Sequence, residues 1–277
     1  MTVQVGRYGV WRRERELDGA LAKRIEELGY GAIWIGGSPP AELGIVEAVL
    51  SATDSIAVGT SIVNMWNSPA DEVARSYHRI EEAFPGRFLL GVGVGHPEAT
   101  KQYAKPFDTI VDYLDALDNA GVPVEGRALA ALGPKVLKVS AERTAGALPY
   151  LTTPEHTREA REILGAGRLL VAEHKVVLDT DPQRARDVGR PAVISPYLGL
   201  VNYRRNLMRL GFTEQQLDAA ADEVVDAVVA HGDAAAVAAR LDEHLAAGAD
   251  HVCAQLLVAD SGDPVPGLTE LAGALGL

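Results

Sequence analysis

Short apolar runs alternate with amphipathic stretches along the whole chain. Val5–Trp11 reads as a strand. In Glu14–Leu28 the apolar positions Leu17, Leu21, Ile25 and Leu28 recur at helical spacing, and Gly29-Tyr30-Gly31 ends that helix. Ala32–Gly36 is a second strand and Ile45–Ala52 a second helix. Ile56–Asn64 is a third strand, rich in β-branched residues, and Pro69–Phe84 a helix opened by proline. Phe88–Val94 is an apolar run of the kind a strand buried on both faces requires. Helix Thr109–Asn119, strand Ala128–Leu132, helix Lys135–Ala145, strand Ala147–Leu151 and helix Pro154–Leu164 follow. Leu169–Leu178 is a strand, Pro182–Asp187 opens a helix, and residues 192–230 read as mostly helical. Helix Ala234–Ala247, strand His251–Val258 and helix Leu268–Leu275 close the chain.

Eight strands, each followed by helix and with no linker between them, predict a single α/β domain over residues 1–277 with a parallel sheet and right-handed crossovers. Eight repeats suit a closed (β/α)8 TIM barrel; five or six would suit an open doubly wound sheet. A barrel of roughly 250 residues is one domain, and the 277 residues here match that size.

Charge and cysteine content narrow the chemistry. The formal net charge is −12, and no basic stripe is visible, so a nucleic-acid surface is not expected. No apolar run is long enough to span a bilayer, and the first residues carry neither a basic region nor a hydrophobic signal core, which predicts a cytoplasmic location. Cys253 is the only cysteine, so there is no intrachain disulfide and no cysteine-rich metal cluster. GxSxG, Walker and HExxH motifs are absent, and the histidines lack metal-ligand spacing, so no metal site is expected.

In a barrel the reactive groups lie where strands end at the carboxyl rim. Strand four ends in Gly91-Val-Gly-Val-Gly-His96. Three alternating glycines permit either close approach of a flat ring or phosphate, or a bulge with tight packing. His96 is a candidate proton donor near neutral pH, or a ring held by packing and Pro97. Strand five runs into Leu132-Gly-Pro-Lys135, where a helix N-terminus offers an anion site that Lys135 and Lys138 reinforce; a plain helix start reads equally well. Thr153 reads better as an N-cap than as a ligand. Glu173 ends an apolar strand and is either a base at the barrel mouth or a partner for Lys175. Trp11, Asn64 and Trp66 are candidate pocket walls, and His78 reads as structural.

Several segments resemble the bacterial luciferase-like superfamily, particularly its deazaflavin-dependent actinobacterial branch. They are Leu28-Gly-Tyr-Gly-Ala-Ile-Trp34, Ala57-Val-Gly-Thr-Ser-Ile-Val63, Pro85-Gly-Arg-Phe-Leu-Leu-Gly-Val-Gly-Val-Gly95, Ala130-Ala-Leu-Gly-Pro-Lys135 and Gly248-Ala-Asp-His-Val-Cys-Ala-Gln255. The resemblance runs from about Val5 to Leu257. It implies a luciferase-like TIM barrel, a homodimer, a small-molecule substrate, and coenzyme F420 as cofactor with FMN as the alternative. It further implies a non-prolyl cis peptide at Ser61-Ile62, with Ile62 backing the central cofactor ring. Asn64, Val94 and Gly95 would touch the cofactor, while the backbone of Leu132, Gly133, Lys135 and Val136 would hold its phosphate and ribityl region.

Two positions depart from the family's sugar-phosphate dehydrogenases. Gly37-Ser38 stands where they carry Asp-His, and His96 where they carry Glu. The expected catalytic pair is therefore His96 with Glu173. The expected activity is hydride transfer to or from a small organic molecule. The alternatives are an FMN-dependent monooxygenase and a barrel that binds cofactor without turnover.

Overall fold

The structure is a computed structural model that describes residues 3–96, 105–259 and 262–277. Its strands are β1 (Tyr8–Arg13), β2 (Ala32–Gly36), β3 (Ala57–Thr60), β4 (Val63–Asn64), β5 (Phe88–Gly93), β6 (Arg127–Leu129), β7 (Gly146–Ala147), β8 (Leu169–Leu178), β9 (Val229–Gly232) and β10 (His251–Leu256). The helices are α1 (Gly19–Glu27), α2 (Gly44–Ser51), α3 (Ala70–Ala83), α4 (Pro106–Asn119), α5 (Pro134–Arg143) and α6 (Pro154–Leu164), followed by α7 (Pro182–Ile194), α8 (Val201–Arg209), α9 (Glu214–Asp218), α10 (Asp222–Val228), α11 (Ala234–Ala246) and α12 (Val265–Leu275).

The strands close into a parallel ring in the order β1, β2, β3/β4, β5, β6, β7, β8, β10, sealed where β10 pairs with both β8 and β1. β3 and β4 are the two halves of one strand, interrupted at Ser61-Ile62, whose peptide bond is cis. This is the expected (β/α)8 barrel.

Strand alternation sorts side chains into two shells. Val10, Ile33, Ile35, Val58, Leu90 and Val252 face the surrounding helices and form the larger apolar core. Trp11, Ala32, Trp34, Ala57, Leu89, Ala128, Val171 and Cys253 fill the barrel lumen. Two large indoles fit there because glycines face them: a Cβ on Gly36 would lie 1.8 Å from the Trp11 ring, and one on Gly59 would lie 2.4 Å from Trp34. Pairing large with small across a layer is how a closed barrel reaches interior packing density.

Several boundaries differ from expectation. The first helix starts late: Glu14–Glu16 forms a 3₁₀ turn, and Asp18 caps α1 by accepting from the Leu21 amide at 2.8 Å. The sixth barrel strand, β7, is Gly146–Ala147 rather than Ala147–Leu151, because Pro149 has no amide to donate and Leu151 takes a left-handed conformation (φ 53°). Within residues 192–230, Val229 and Ala230 belong to β9 rather than to a helix. There the β-branched run pairs with the end of β8, from Lys175↔Val229 to Leu178↔Gly232, taking the place beside β8 that short β7 leaves open. The segment between β8 and β9 packs its own apolar cluster, including Val193, Leu198, Tyr203, Leu207 and Val225, above the barrel mouth and against Leu151. No helix among the described residues is long and apolar enough to cross a membrane.

Candidate active site

A cavity of about 610 Å³ opens at the carboxyl rim, within the size range of small-molecule sites. Ser61, Ile62, Asn64, Val94, Gly95, Leu132, Gly133, Lys135 and Val136 all line it, as do Trp11 and His96. The strands that end in these residues thus bring together every position the resemblance assigned to the cofactor. Trp66 is not among the lining residues; its indole N–H donates to the Val94 carbonyl at 2.8 Å and steadies the rim.

The glycines of strand four divide between two roles. A Cβ on Gly91 would fall 1.9 Å from the Thr60 carbonyl oxygen, and one on Gly93 would crowd Ala130 and Ile62. These two serve packing against the interrupted third strand rather than a ligand. Gly95, at φ 58°, reaches the cavity beside Asn64, whose Oδ1 accepts from the Trp66 amide at 2.9 Å.

α5 begins at the cavity wall. Gly133 occupies its N-cap with no side chain to fill the amide end, and Pro134 stands in the first turn. The Lys135 ammonium lies over the Phe107 ring, 3.5 Å from its centroid. Pro134 has no N–H and the Val136 amide donates to the Gly133 carbonyl at 3.1 Å, so this turn offers an anion the Lys135 amide and ammonium. By contrast, Thr153 is the N-cap of α6, accepting from the His156 amide, as expected. His78 lies on α3, with Nε2 bonded to the Ala120 carbonyl at 2.8 Å.

His96 joins an aromatic wall. Its ring centroid lies 5.3 Å from that of Tyr203 and 6.4 Å from that of Tyr197, and Tyr150 lies 5.2 Å from Tyr197 and 5.5 Å from Trp11. Pro97 lies outside the described residues.

Glu173 does not line the cavity, which corrects its assignment as a base at the mouth. It points into the lumen one layer lower, and both of its oxygens are engaged. Oε1 accepts from Lys175 Nζ at 3.1 Å, and Oε2 accepts from the Leu151 amide at 2.9 Å, holding that residue in its left-handed conformation. The second reading of the sequence, a partner for Lys175, describes it.

The buried Lys175 is the hub of a polar cluster absent from the sequence analysis. Its Nζ donates to Tyr150 Oη at 2.9 Å and to Gln255 Oε1 at 3.2 Å, and Tyr150 Oη donates to Gln255 Oε1 at 2.7 Å. Tyr197 Oη donates to Tyr150 Oη at 3.2 Å. Burial pushes the Lys175 ammonium down from its ordinary value while Glu173 opposes that push. Burial raises the phenols of Tyr150, Tyr197 and Tyr203, so all three stay neutral hydrogen-bond donors at neutral pH. A signal for this cluster does exist in the sequence. Lys175 sits two residues after Glu173 in an apolar strand, so both face the lumen.

The strands and helices define a (β/α)8 barrel with a cavity at its carboxyl rim. Residues 18–121 match the family model of the luciferase-like monooxygenases. No curated protein matches the chain. Among solved structures, an F420-dependent secondary alcohol dehydrogenase in complex with an F420-acetone adduct is 15% identical, with a TM-score of 0.75 over 98% of this chain and 99% of the other. The coenzyme F420-dependent tetrahydromethanopterin reductase from Methanopyrus kandleri is 16% identical, with a TM-score of 0.67 over 99% and 98%. The oxygenating constituent of 3,6-diketocamphane monooxygenase from Pseudomonas putida, in complex with FMN, is 14% identical, with a TM-score of 0.69 over 96% of both chains.

Proposed function

We propose that this chain is an oxidoreductase that uses coenzyme F420 to move hydride to or from a small organic substrate. One observation carries the reading: a single rim cavity joins the Ser61-Ile62 bulge, the Asn64–Gly95 contact and the open N-terminus of α5. These features fit a planar ring system with a phosphate tail. Ile62 supplies an apolar backing for the ring, and Asn64 and the Val94-Gly95 backbone border its edge. The backbone amides of Gly133 and Lys135 and the Lys135 ammonium hold the phosphate. Such a cofactor supplies the hydride chemistry when bound.

The rest falls to the chain's own side chains. Trp11, Tyr150, Tyr197 and Tyr203 wall the substrate space and exclude water. His96 is the side chain on that wall placed to exchange a proton with the substrate, at a ring nitrogen. Lys175 and Gln255 fix the Tyr150 hydroxyl, and Glu173 positions Lys175 without touching the substrate.

Fluorescence titration of the purified protein with F420 and with FMN tests this reading. Tight F420 binding, with reduction or oxidation of the cofactor by a carbonyl or alcohol panel, is expected. A preference for FMN with oxygen consumption would instead make the protein a monooxygenase, and failure to bind either would remove the cofactor assignment. His96→Ala is expected to leave cofactor affinity nearly intact and to cut turnover at least about tenfold; unchanged turnover takes His96 out of the reaction. Lys135→Glu is expected to weaken cofactor binding at least about tenfold through repulsion at the phosphate; unchanged affinity in the same titration places the phosphate elsewhere.

A further inference from the structure

The two charged side chains among the described residues lining the cavity are both cations, Arg13 and Lys135. No carboxylate among the described residues lines it, although the chain as a whole carries a net charge of −12. The two cations occupy opposite poles. Lys135 follows β6 and Arg13 ends β1, and these strands lie four places apart in the ring. Lys135 stands at the phosphate pole, so one phosphate tail leaves Arg13 free.

Arg13 is aimed at the cavity by strand alternation. Trp11 faces the lumen, and the next residue of the same parity emerges at the rim, paired in register with Gly36. Its neighbour Arg12 points the other way, bonded to Glu16 and the Leu256 carbonyl. The Arg13 guanidinium makes no hydrogen bond or ion pair with any described residue, unlike most arginines of this chain. Arg87, Arg127, Arg161 and Arg186, for example, are each tied to carbonyls or carboxylates. A half-buried guanidinium left open at a cavity wall suits bidentate capture of a carboxylate. The wall between Arg13 and His96 is aromatic, made by Trp11, Tyr150, Tyr197 and Tyr203.

We propose that Arg13 is the substrate anchor, and that the site takes small organic acids whose planar apolar body lies against this aromatic wall while the carboxylate meets the guanidinium. The proposal rests on the reading of the cavity as an oxidoreductase site, and specifies its substrate class.

Calorimetric titration of the full-length protein with benzoate and with benzamide, each with and without saturating cofactor, tests it without turnover. Benzoate is expected to bind at least about tenfold tighter than benzamide, the preference disappearing in Arg13→Gln, surviving in part in Arg13→Lys and surviving in Lys135→Glu. Equal binding of the two probes, binding of neither, or a preference that persists in Arg13→Gln would overturn the proposal. So would an Arg13→Gln variant that loses cofactor affinity as Lys135→Glu does, because Arg13 would then serve the cofactor. If neither F420 nor FMN binds but the benzoate preference still maps to Arg13, the cofactor assignment fails and the acid-binding assignment stands.

Discussion

Lowering the pH from 7 to 4.5 is expected to reduce the Tm by about 10–20 °C, with the steepest loss below pH 6.5. The cause is a set of buried neutral histidines. His251 sits inside the barrel, its Nδ1 donating to the Gly6 carbonyl at 2.9 Å and its Nε2 accepting from the Trp34 indole at 2.9 Å. Protonation would set an N–H against an N–H, and burial pushes this histidine down to about 4. His244 bonds Thr157 Oγ1 at 2.7 Å and His174 Nδ1 at 2.9 Å; burial takes it down to about 3 and also pushes His174 well below its ordinary value. Burial also lowers His156, which bonds the Leu132 carbonyl beside the cavity.

In the unfolded chain these rings protonate near 6.5. Below that pH the unfolded state binds more protons than the folded one, so stability falls as pH drops from about 6.5 toward 4 and is flat above. Each such ring contributes about 1.4 kcal/mol per pH unit within the window. Two independent titrations over two units therefore remove on the order of 5 kcal/mol, comparable to the whole stability of many domains. Thermal melts across this range give the slope, and His251→Gln, whose amide can meet both partners, should reduce it by about one proton. A Tm that does not change between pH 7 and 4.5 would show that these rings are not held neutral.

Lys175→Met is the substitution with the largest expected cost. It leaves the Glu173 carboxylate buried with only the Leu151 amide as donor, and removes the Lys175 hydrogen bonds to Tyr150 and Gln255. Breaking a buried pair by removing one partner costs about 3–5 kcal/mol, a Tm loss on the order of 10 °C for a chain of this size. Glu173→Gln in the Lys175→Met background should recover part of it, since the stranded charge is then gone. Denaturant melts of the two single variants and the double variant check this. A double variant as destabilised as the sum of the singles would mean that the two charges do not depend on each other.

Both features lay partly within reach of the sequence. The barrel was legible because strands buried on both faces must be apolar, and Ala32–Gly36 and Leu169–Leu178 match their predicted bounds. β9 was not legible, since Val224, Val225, Val228 and Val229 satisfy helical spacing and β propensity together and only the open edge of β8 decides between them. The proposed phosphate pole rests on local chemistry visible in the sequence, a glycine and proline opening a helix with lysine beside them. The aromatic wall of the cavity could not be read there, because Tyr150, Tyr197 and Tyr203 arrive from a short strand and a helical insertion whose packing across the mouth leaves no periodic trace. For Glu173 the sequence left a base at the mouth and a partner for Lys175 both open, because the layer it occupies depends on the register of β8 with β10, where Glu173 pairs with Cys253.

A crystal structure of the protein soaked with F420, or with FMN if that binds better, tests the central claim most directly. The predicted result is a planar ring against Ile62 with its phosphate on the backbone amides of Gly133 and Lys135. Electron density for the ring outside the rim cavity, or a phosphate bound away from the start of α5, would contradict it.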